Sequence, residues 1–221
     1  MLEKEYNEKE TSYYLHARLE MLKYIPSDAT IILDVGCSSG EFGNAIKKKL
    51  NCIVWGIEPD KQSSERADLV LDKVFNGFFE DGVNFFGQKF DCIIFNDVLE
   101  HLPNPFEALN LCKSFLKKNG VIVASIPNIR FFDAMYHIIL QKDFQYTNAG
   151  IFDKTHLRFF TKKSTQRMFI ESGYQIKALD GINSIKEINI KGYRNFKILN
   201  TLLFNFLEDM EYQQYAVVAA V

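Results

Sequence analysis

What this chain is short of narrows it quickly. Its four cysteines, Cys37, Cys52, Cys92 and Cys112, include no C-x-x-C pair, and three lie in or beside apolar runs. Neither a disulfide framework nor a cysteine metal site is expected, and the thiols read as reduced. Only 12 Gly and 5 Pro occur in 221 residues, which excludes collagenous and low-complexity chains. Neither sign of charge dominates: 26 Lys+Arg stand against 28 Asp+Glu, a net charge of -2. That lacks the basic surplus needed to grip a phosphate backbone, so no nucleic-acid partner is expected. No run approaches the ~18 consecutive apolar residues of a membrane span, and the opening MLEKEYNEKE is acidic where an export leader is basic and then apolar. The expectation is a cytoplasmic protein with no stable membrane insertion.

What is there is core. With 47% hydrophobic residues, a chain of this size buries roughly 70% of its unfolded surface. Tyr14, Leu15, Leu19, Leu22 and Ile25 predict an amphipathic N-terminal helix over 11–25, ending before Pro26. The apolar runs at 31–35, 53–57, 73–75, 90–95 and 121–126 read as strands, with helices between them, one from about Glu41 to Leu50 and another opened by Asn104-Pro105. A helix from about Lys163 to Ser172 is followed by strands at 174–179 and 216–221. Nearly continuous apolar strands alternating with helices predict an α/β fold, a mostly parallel, Rossmann-like doubly wound sheet with helices on both faces. The whole chain, 1–221, reads as one domain. Insertions at 128–162 and 181–211 are expected to form a cap on the acceptor side; the second carries Leu199, Leu202, Leu203, Phe206 and Leu207 at helical spacing.

The chemistry starts after the first strand. The loop Gly36-Cys37-Ser38-Ser39-Gly40-Glu41-Phe42-Gly43 has Ser38 where a G-x-G-x-x-G dinucleotide fingerprint needs glycine. Asp34 before it and Glu41 after it place carboxylates where a diphosphate would sit, which suits instead a cofactor carrying an ammonium or a sulfonium. Glu58, at the tip of the second strand about 20 residues on, is spaced to accept from both hydroxyls of a ribose.

These residues, with Phe95-Asn96-Asp97-Val98-Leu99-Glu100-His101-Leu102 after the fourth strand, resemble the class I S-adenosylmethionine-dependent methyltransferases over about 13–180. Ser125-Ile126-Pro127-Asn128 and Asp153-Lys154-Thr155-His156-Leu157-Arg158-Phe159-Phe160-Thr161 are similar to a subgroup associated with surface-polysaccharide synthesis. The Glu100-His101 segment also resembles ubiquinone-biosynthesis enzymes. The resemblance implies a seven-stranded sheet whose last strand is antiparallel, with S-adenosylmethionine as cofactor and S-adenosylhomocysteine as product. It implies that Asp34, Gly36, Cys37, Ser38 and Gly40 hold the methionine and ribose parts, that Glu58 holds the ribose hydroxyls, and that Asn96 and Asp97 line the open side. Two positions depart from the family: its middle loop glycine is Ser38, and Asn76-Gly77 replaces an acid after strand three, which turns adenine recognition toward Glu80 or a backbone carbonyl.

A hydroxyl acceptor must lose its proton, so the base is the discriminating residue. His16 and His137 read as packing residues. His101 stands beside Glu100 at the carboxyl edge of the sheet, but a Glu-His pair offers too few ligands for a metal, and none is expected. His156 is the catalytic candidate, with Asp153 placed to orient its ring and Arg158 to anchor an anionic acceptor. Tyr13, Tyr14 and Arg18 fit a helix closing over the cofactor, with Arg18 meeting its carboxylate. The expected activity is O-methylation of a sugar or glycan precursor, or alternatively of a quinone-like phenol. A nicotinamide-dependent sugar oxidoreductase and a non-catalytic cofactor-binding module are the rival classes. The expected partners are a small-molecule or glycan acceptor and a second copy of the chain.

Overall fold

The computed structural model describes residues 18–81, 85, 87–188 and 193–221. The apolar runs become β1 (Ile31–Val35), β2 (Ile53–Glu58), β3 (Lys73–Asn76), β4 (Phe90–Asn96), β5 (Leu116–Pro127), β6 (Gln175–Ser184) and β7 (Tyr212–Ala220). They form one seven-stranded sheet in the order β3-β2-β1-β4-β5-β7-β6. The pairs β1–β2, β1–β4, β2–β3 and β4–β5 are parallel, and β7 runs antiparallel to both β5 and β6. This is the expected doubly wound sheet with a reversed last strand.

Helices α1 (Glu41–Lys49), α2 (Lys61–Ala67), α3 (Pro105–Phe115), α4 (Phe132–Met135), α5 (Lys162–Glu171) and α6 (Tyr193–Leu202) connect the strands. Because successive strand residues point to opposite faces, the sheet builds two cores. Leu33, Ile93, Phe95 and Ile122 pack with Leu109 of α3 and Phe169 of α5. Ile32, Val54, Ile94 and Val123 pack on the other face with Phe42 and Ile46 of α1 and with Met21. Helix starts follow from local chemistry: Asn104 Oδ1 accepts from Glu107 N at 3.4 Å with Pro105 in the first turn, and Thr161 and Ser164 form a capping box for α5.

The two excursions from the sheet meet. Phe131, Ala134, Ile185 and Phe196 form a third apolar cluster, joined by Ile151, Phe152, Leu207 and Met210. Buried Asn128 fastens them, its Nδ2 donating to the carbonyls of Asp209 (2.7 Å) and Tyr212 (2.9 Å). The first excursion is also closed at its neck, where Asn128 bridges to Phe160.

Some boundaries differ from the sequence reading. Residues 11–17 of the expected N-terminal helix lie outside the described residues, and Leu19–Tyr24 form a 3-10 turn. β7 starts at Tyr212, ahead of its apolar run, because its backbone pairing with β5 continues to Pro127–Gln214 while Gln214 turns its amide to a site residue. β6 likewise continues through Ser184. His137 lies in a wide π-type turn, Tyr136–Leu140, rather than in regular helix. No helix among the described residues is long and apolar enough to cross a membrane.

Candidate active site

The strand order reverses between β1 and β4, which opens a crevice beyond their carboxyl ends. The β1–α1 loop forms one wall. Gly36, Ser38 and Gly40 all take left-handed backbone, with φ of +70°, +51° and +82°. Ser38 thus occupies a conformation that favours glycine, at a cost of about 1 kcal/mol. Its N–H donates to Glu58 Oε2 at 2.8 Å, which offsets that cost. The N–H groups of Gly36 and Cys37 both reach the Ile57 carbonyl, at 2.8 and 3.0 Å. At Gly36 a Cβ would lie 2.6 Å from Val98 Cγ2, so the segment after β4 packs directly on the loop.

The electrostatics of this wall are unusual. Asp34 and Glu58 are 2% and 5% exposed. Burial, reinforced by the charge of Glu58, pushes the Asp34 carboxyl up to about 7. Burial also pushes Glu58 up to about 7, against the N–H groups of Asp60 and Ser38 that favour its ionised form. Two adjacent carboxylates that resist ionisation suit a positively charged ligand. Cys37 is buried against Gly56, where a Cβ would lie 2.5 Å from its Sγ. Its thiol is pushed well up by burial and by Asp34 and Glu58, so it is neutral and no nucleophile. At the tip of β3, Asn76 Nδ2 donates to the carbonyls of Glu58 (2.9 Å) and Pro59 (3.1 Å), tying β3 to β2.

The facing wall is the end of β4. Both polar side-chain atoms of Asn96 are buried and meet no hydrogen-bond partner among the described residues. A buried amide in that condition is costly unless a ligand fills it. Asp97, at φ +55°, receives Ser125 Oγ at 3.0 Å and Gln214 Nε2 at 2.7 Å and forms an ion pair with Arg18. Arg18 also bonds Glu20 (2.7 Å) and Gln214 (3.1 Å), so the structure places its guanidinium on the Asp97 side of the crevice.

Beyond Val98, Glu100 and His101 meet the first excursion. The Glu100 carbonyl accepts from the N–H groups of Leu157 (2.9 Å) and Arg158 (3.2 Å). These bonds bring His156 Nε2 to 3.8 Å from Glu100 Oε1, and the His101 and His156 ring centroids to 4.7 Å. Asp153, expected to orient His156, is buried and bonds Thr155. Its Oδ1 receives both the N–H (2.8 Å) and the hydroxyl (2.7 Å) of Thr155, whose Oγ1 and carbonyl O each lie 3.1 Å from His101 Nδ1. Asp153 therefore orients His101 through Thr155, while the Ile151 carbonyl, 3.0 Å from Nδ1, orients His156. Arg158 is exposed and donates to the Pro103 carbonyl at 2.6 Å.

Sequence reasoning missed the meeting of His156 with Glu100 and His101, and the roles of Thr155, Ser125 and Gln214. One signal was available for the first: all three residues fall in segments that follow strand ends at the carboxyl edge.

A model of the methyltransferase domain family matches residues 6–179. A ubiquinone biosynthesis O-methyltransferase of Histophilus somni (strain 2336) is 31% identical over 123 residues, 51% of this chain and 51% of that protein. The chain thus spans about half the length of such curated relatives. An uncharacterized protein of Methanocaldococcus jannaschii is 29% identical over 190 residues, 85% of this chain and 83% of that one. Among solved structures, a SAM-dependent methyltransferase from Archaeoglobus fulgidus superposes with a TM-score of 0.66 at 18% identity, covering 92% of this chain and 94% of that one. The chain belongs to the methyltransferase domain family and has the fold of the S-adenosylmethionine-dependent methyltransferases.

Proposed function

We propose that the protein transfers a methyl group from S-adenosylmethionine to a hydroxyl of a small-molecule acceptor, a sugar of a glycan precursor. The observation that carries the cofactor half is the buried Asp34–Glu58 pair beside the left-handed loop, together with the Asn96 amide, whose buried atoms meet no hydrogen-bond partner among the described residues. Those residues fit an adenosyl cofactor: Glu58 accepts from the ribose, the Gly36 to Gly40 backbone and Asp34 take the methionine end, and Asn96 and Asp97 line the open side. S-Adenosylmethionine supplies an electrophilic methyl group on a sulfonium.

The Glu100, His101 and His156 cluster meets the acceptor and receives its proton. Asp153 positions His101, and Arg158 anchors an acidic acceptor at the rim. An aromatic path supports a ring-shaped acceptor. Phe159 lies 6.2 Å from the His156 ring, Phe144 lies 5.4 Å from Phe159, and Tyr146, 5.3 Å from Phe144, is exposed. Such faces stack on sugars and phenols alike. The resemblance of 125–128 and 153–161 to the polysaccharide-linked subgroup favours the sugar; the ubiquinone biosynthesis O-methyltransferases, matched over about half their length, favour a phenol. The free thiols of Cys37, Cys52, Cys92 and Cys112 support a cytoplasmic setting. The exposed Leu202, Phe204 and Phe206 provide a face for the homodimer.

The experiment is transfer of labelled methyl from S-adenosylmethionine to two panels, nucleotide-linked or lipid-linked sugars and catechol-type phenols. Methylation of the sugar panel supports the proposal. Transfer confined to phenols replaces the acceptor, and S-adenosylhomocysteine binding with no transfer to either panel favours a non-catalytic module.

A further inference from the structure

A cavity of about 460 Å³, within the size range of small-molecule sites, opens where the two excursions join. Arg130 lines it from the start of the first excursion, Lys162 and Lys163 from the end of that excursion, and Phe206, Glu208 and Asp209 from the second. Its walls are fixed by hydrogen bonds. The Ile129 N–H donates to the Phe160 carbonyl at 2.8 Å, which sets the two ends of the first excursion side by side. On the other wall, buried Asn200 accepts the Leu207 N–H on Oδ1 and the Asn205 N–H on its carbonyl, both at 2.8 Å.

The charges around this space do not cancel. Arg130 is occupied by Asp209, with Nε 2.5 Å from Oδ2 and Nη2 3.1 Å from Oδ1. Lys162 and Lys163 form no ion pair among the described residues, and exposed Glu208 is the one other acid of the lining. The two lysines also stand where a helix disfavours them. α5 begins at Lys162 and has no acid in its first turn, so both ammonium groups meet the positive end of the helix dipole. That opposition costs about 0.3–1 kcal/mol per charge and is offset when an anion lies between the lysines. A local rule broken in this way marks a binding function rather than a folding one.

We propose that this cavity binds a diphosphate, and that the diphosphate is the group linking the acceptor sugar to its carrier. The second half rests on the sugar reading above. Lys162 and Lys163 donate charge-assisted hydrogen bonds to the diphosphate oxygens, and the space is larger than a single phosphate fills. The cavity lies beside the crevice: Arg130 follows the end of β5, whose Ser125 bonds Asp97. Thr161, also on the lining, follows His156 by five residues, so at most about 18 Å separates their Cα atoms. One extended acceptor then holds its diphosphate in the cavity and a sugar hydroxyl at the histidine.

The test is calorimetric titration of the full chain with inorganic pyrophosphate, UDP and farnesyl diphosphate. Pyrophosphate should saturate at one per chain. At least one of the two organic diphosphates should compete with it and bind more tightly, UDP marking a nucleotide-linked acceptor and farnesyl diphosphate a lipid-linked one. Lys162→Gln/Lys163→Gln should weaken that probe more than ~10-fold, with S-adenosylhomocysteine affinity at the wild-type value and a Tm no lower than wild type. Glu208→Gln should tighten the probe by about 2–5-fold, because it removes a like charge; a merely structural role for this segment gives no such gain. No saturable binding of any probe, or an affinity indifferent to the lysine pair, overturns the site. Pyrophosphate binding that neither organic diphosphate exceeds overturns the acceptor half. S-Adenosylhomocysteine binding without diphosphate binding removes this inference and leaves the methyltransferase reading standing. Diphosphate binding without S-adenosylhomocysteine binding supports the cavity and counts against the cofactor reading, so the two failures are distinguishable.

Discussion

The crevice has two walls built on different principles. The loop between β1 and α1 is held by backbone: left-handed residues, amide hydrogens on Ile57 and Glu58, and a glycine pressed on Val98. The wall proposed for the acceptor is held by side chains that reach across long sequence separations, with Asn128 tied to Asp209 and Tyr212, and Thr155 tied to His101. A backbone-built wall tolerates few substitutions and recurs as a motif. A wall of side chains on an excursion can change its acceptor without disturbing the sheet.

The sharpest way to break that contrast is at the glycines. Gly36→Val adds left-handed strain and overlap with Val98, and should cost about 2–5 kcal/mol in urea unfolding. Gly150 also has positive φ, +82°, but a Cβ there meets nothing within 4 Å; Gly150→Ala should cost only about 1 kcal/mol. Equal losses at both positions would erase the distinction. Between these extremes, His156→Ala should lower turnover by ~100-fold while S-adenosylhomocysteine affinity is unchanged. A fall in cofactor affinity of the same size would mean that the two walls are one unit.

A further expected effect is in pH. Asp34 and Glu58 are both pushed to about 7 from ordinary values of 3.8 and 4.5. The folded protein therefore binds more protons than the unfolded chain across roughly pH 4–7. The contribution of this pair to the stability of the cofactor-free protein should be greatest below that window, fall as pH rises through it, and level off above it. Asp34→Asn should flatten the slope in thermal unfolding, and a slope of opposite sign would contradict the burial argument.

Legibility in the sequence follows the same division. The strands at 31–35 and 90–95, the loop, Glu58 at its strand tip and the Asn104 cap were all readable, because each is a local pattern with a local cause. His156 was readable as a candidate but not its company: the sequence pointed to Asp153, three residues away, and gave no sign of the Thr155 and Ile151 carbonyls that lie against the His101 and His156 rings. Glu100 and His101 read as an incomplete pair because His156 comes to them only through the Leu157 and Arg158 amides on the Glu100 carbonyl. No local spacing encodes such a meeting. The start of β7 at Tyr212 was hidden for a related reason, since Gln214 is polar in the service of Asp97.

The most direct test is calorimetry with S-adenosylhomocysteine and with NAD on wild type and on Glu58→Gln. The account predicts that wild type binds S-adenosylhomocysteine and not NAD, and that Glu58→Gln weakens S-adenosylhomocysteine by ~10–100-fold. Binding of NAD in its place, or an S-adenosylhomocysteine affinity indifferent to Glu58, would contradict it.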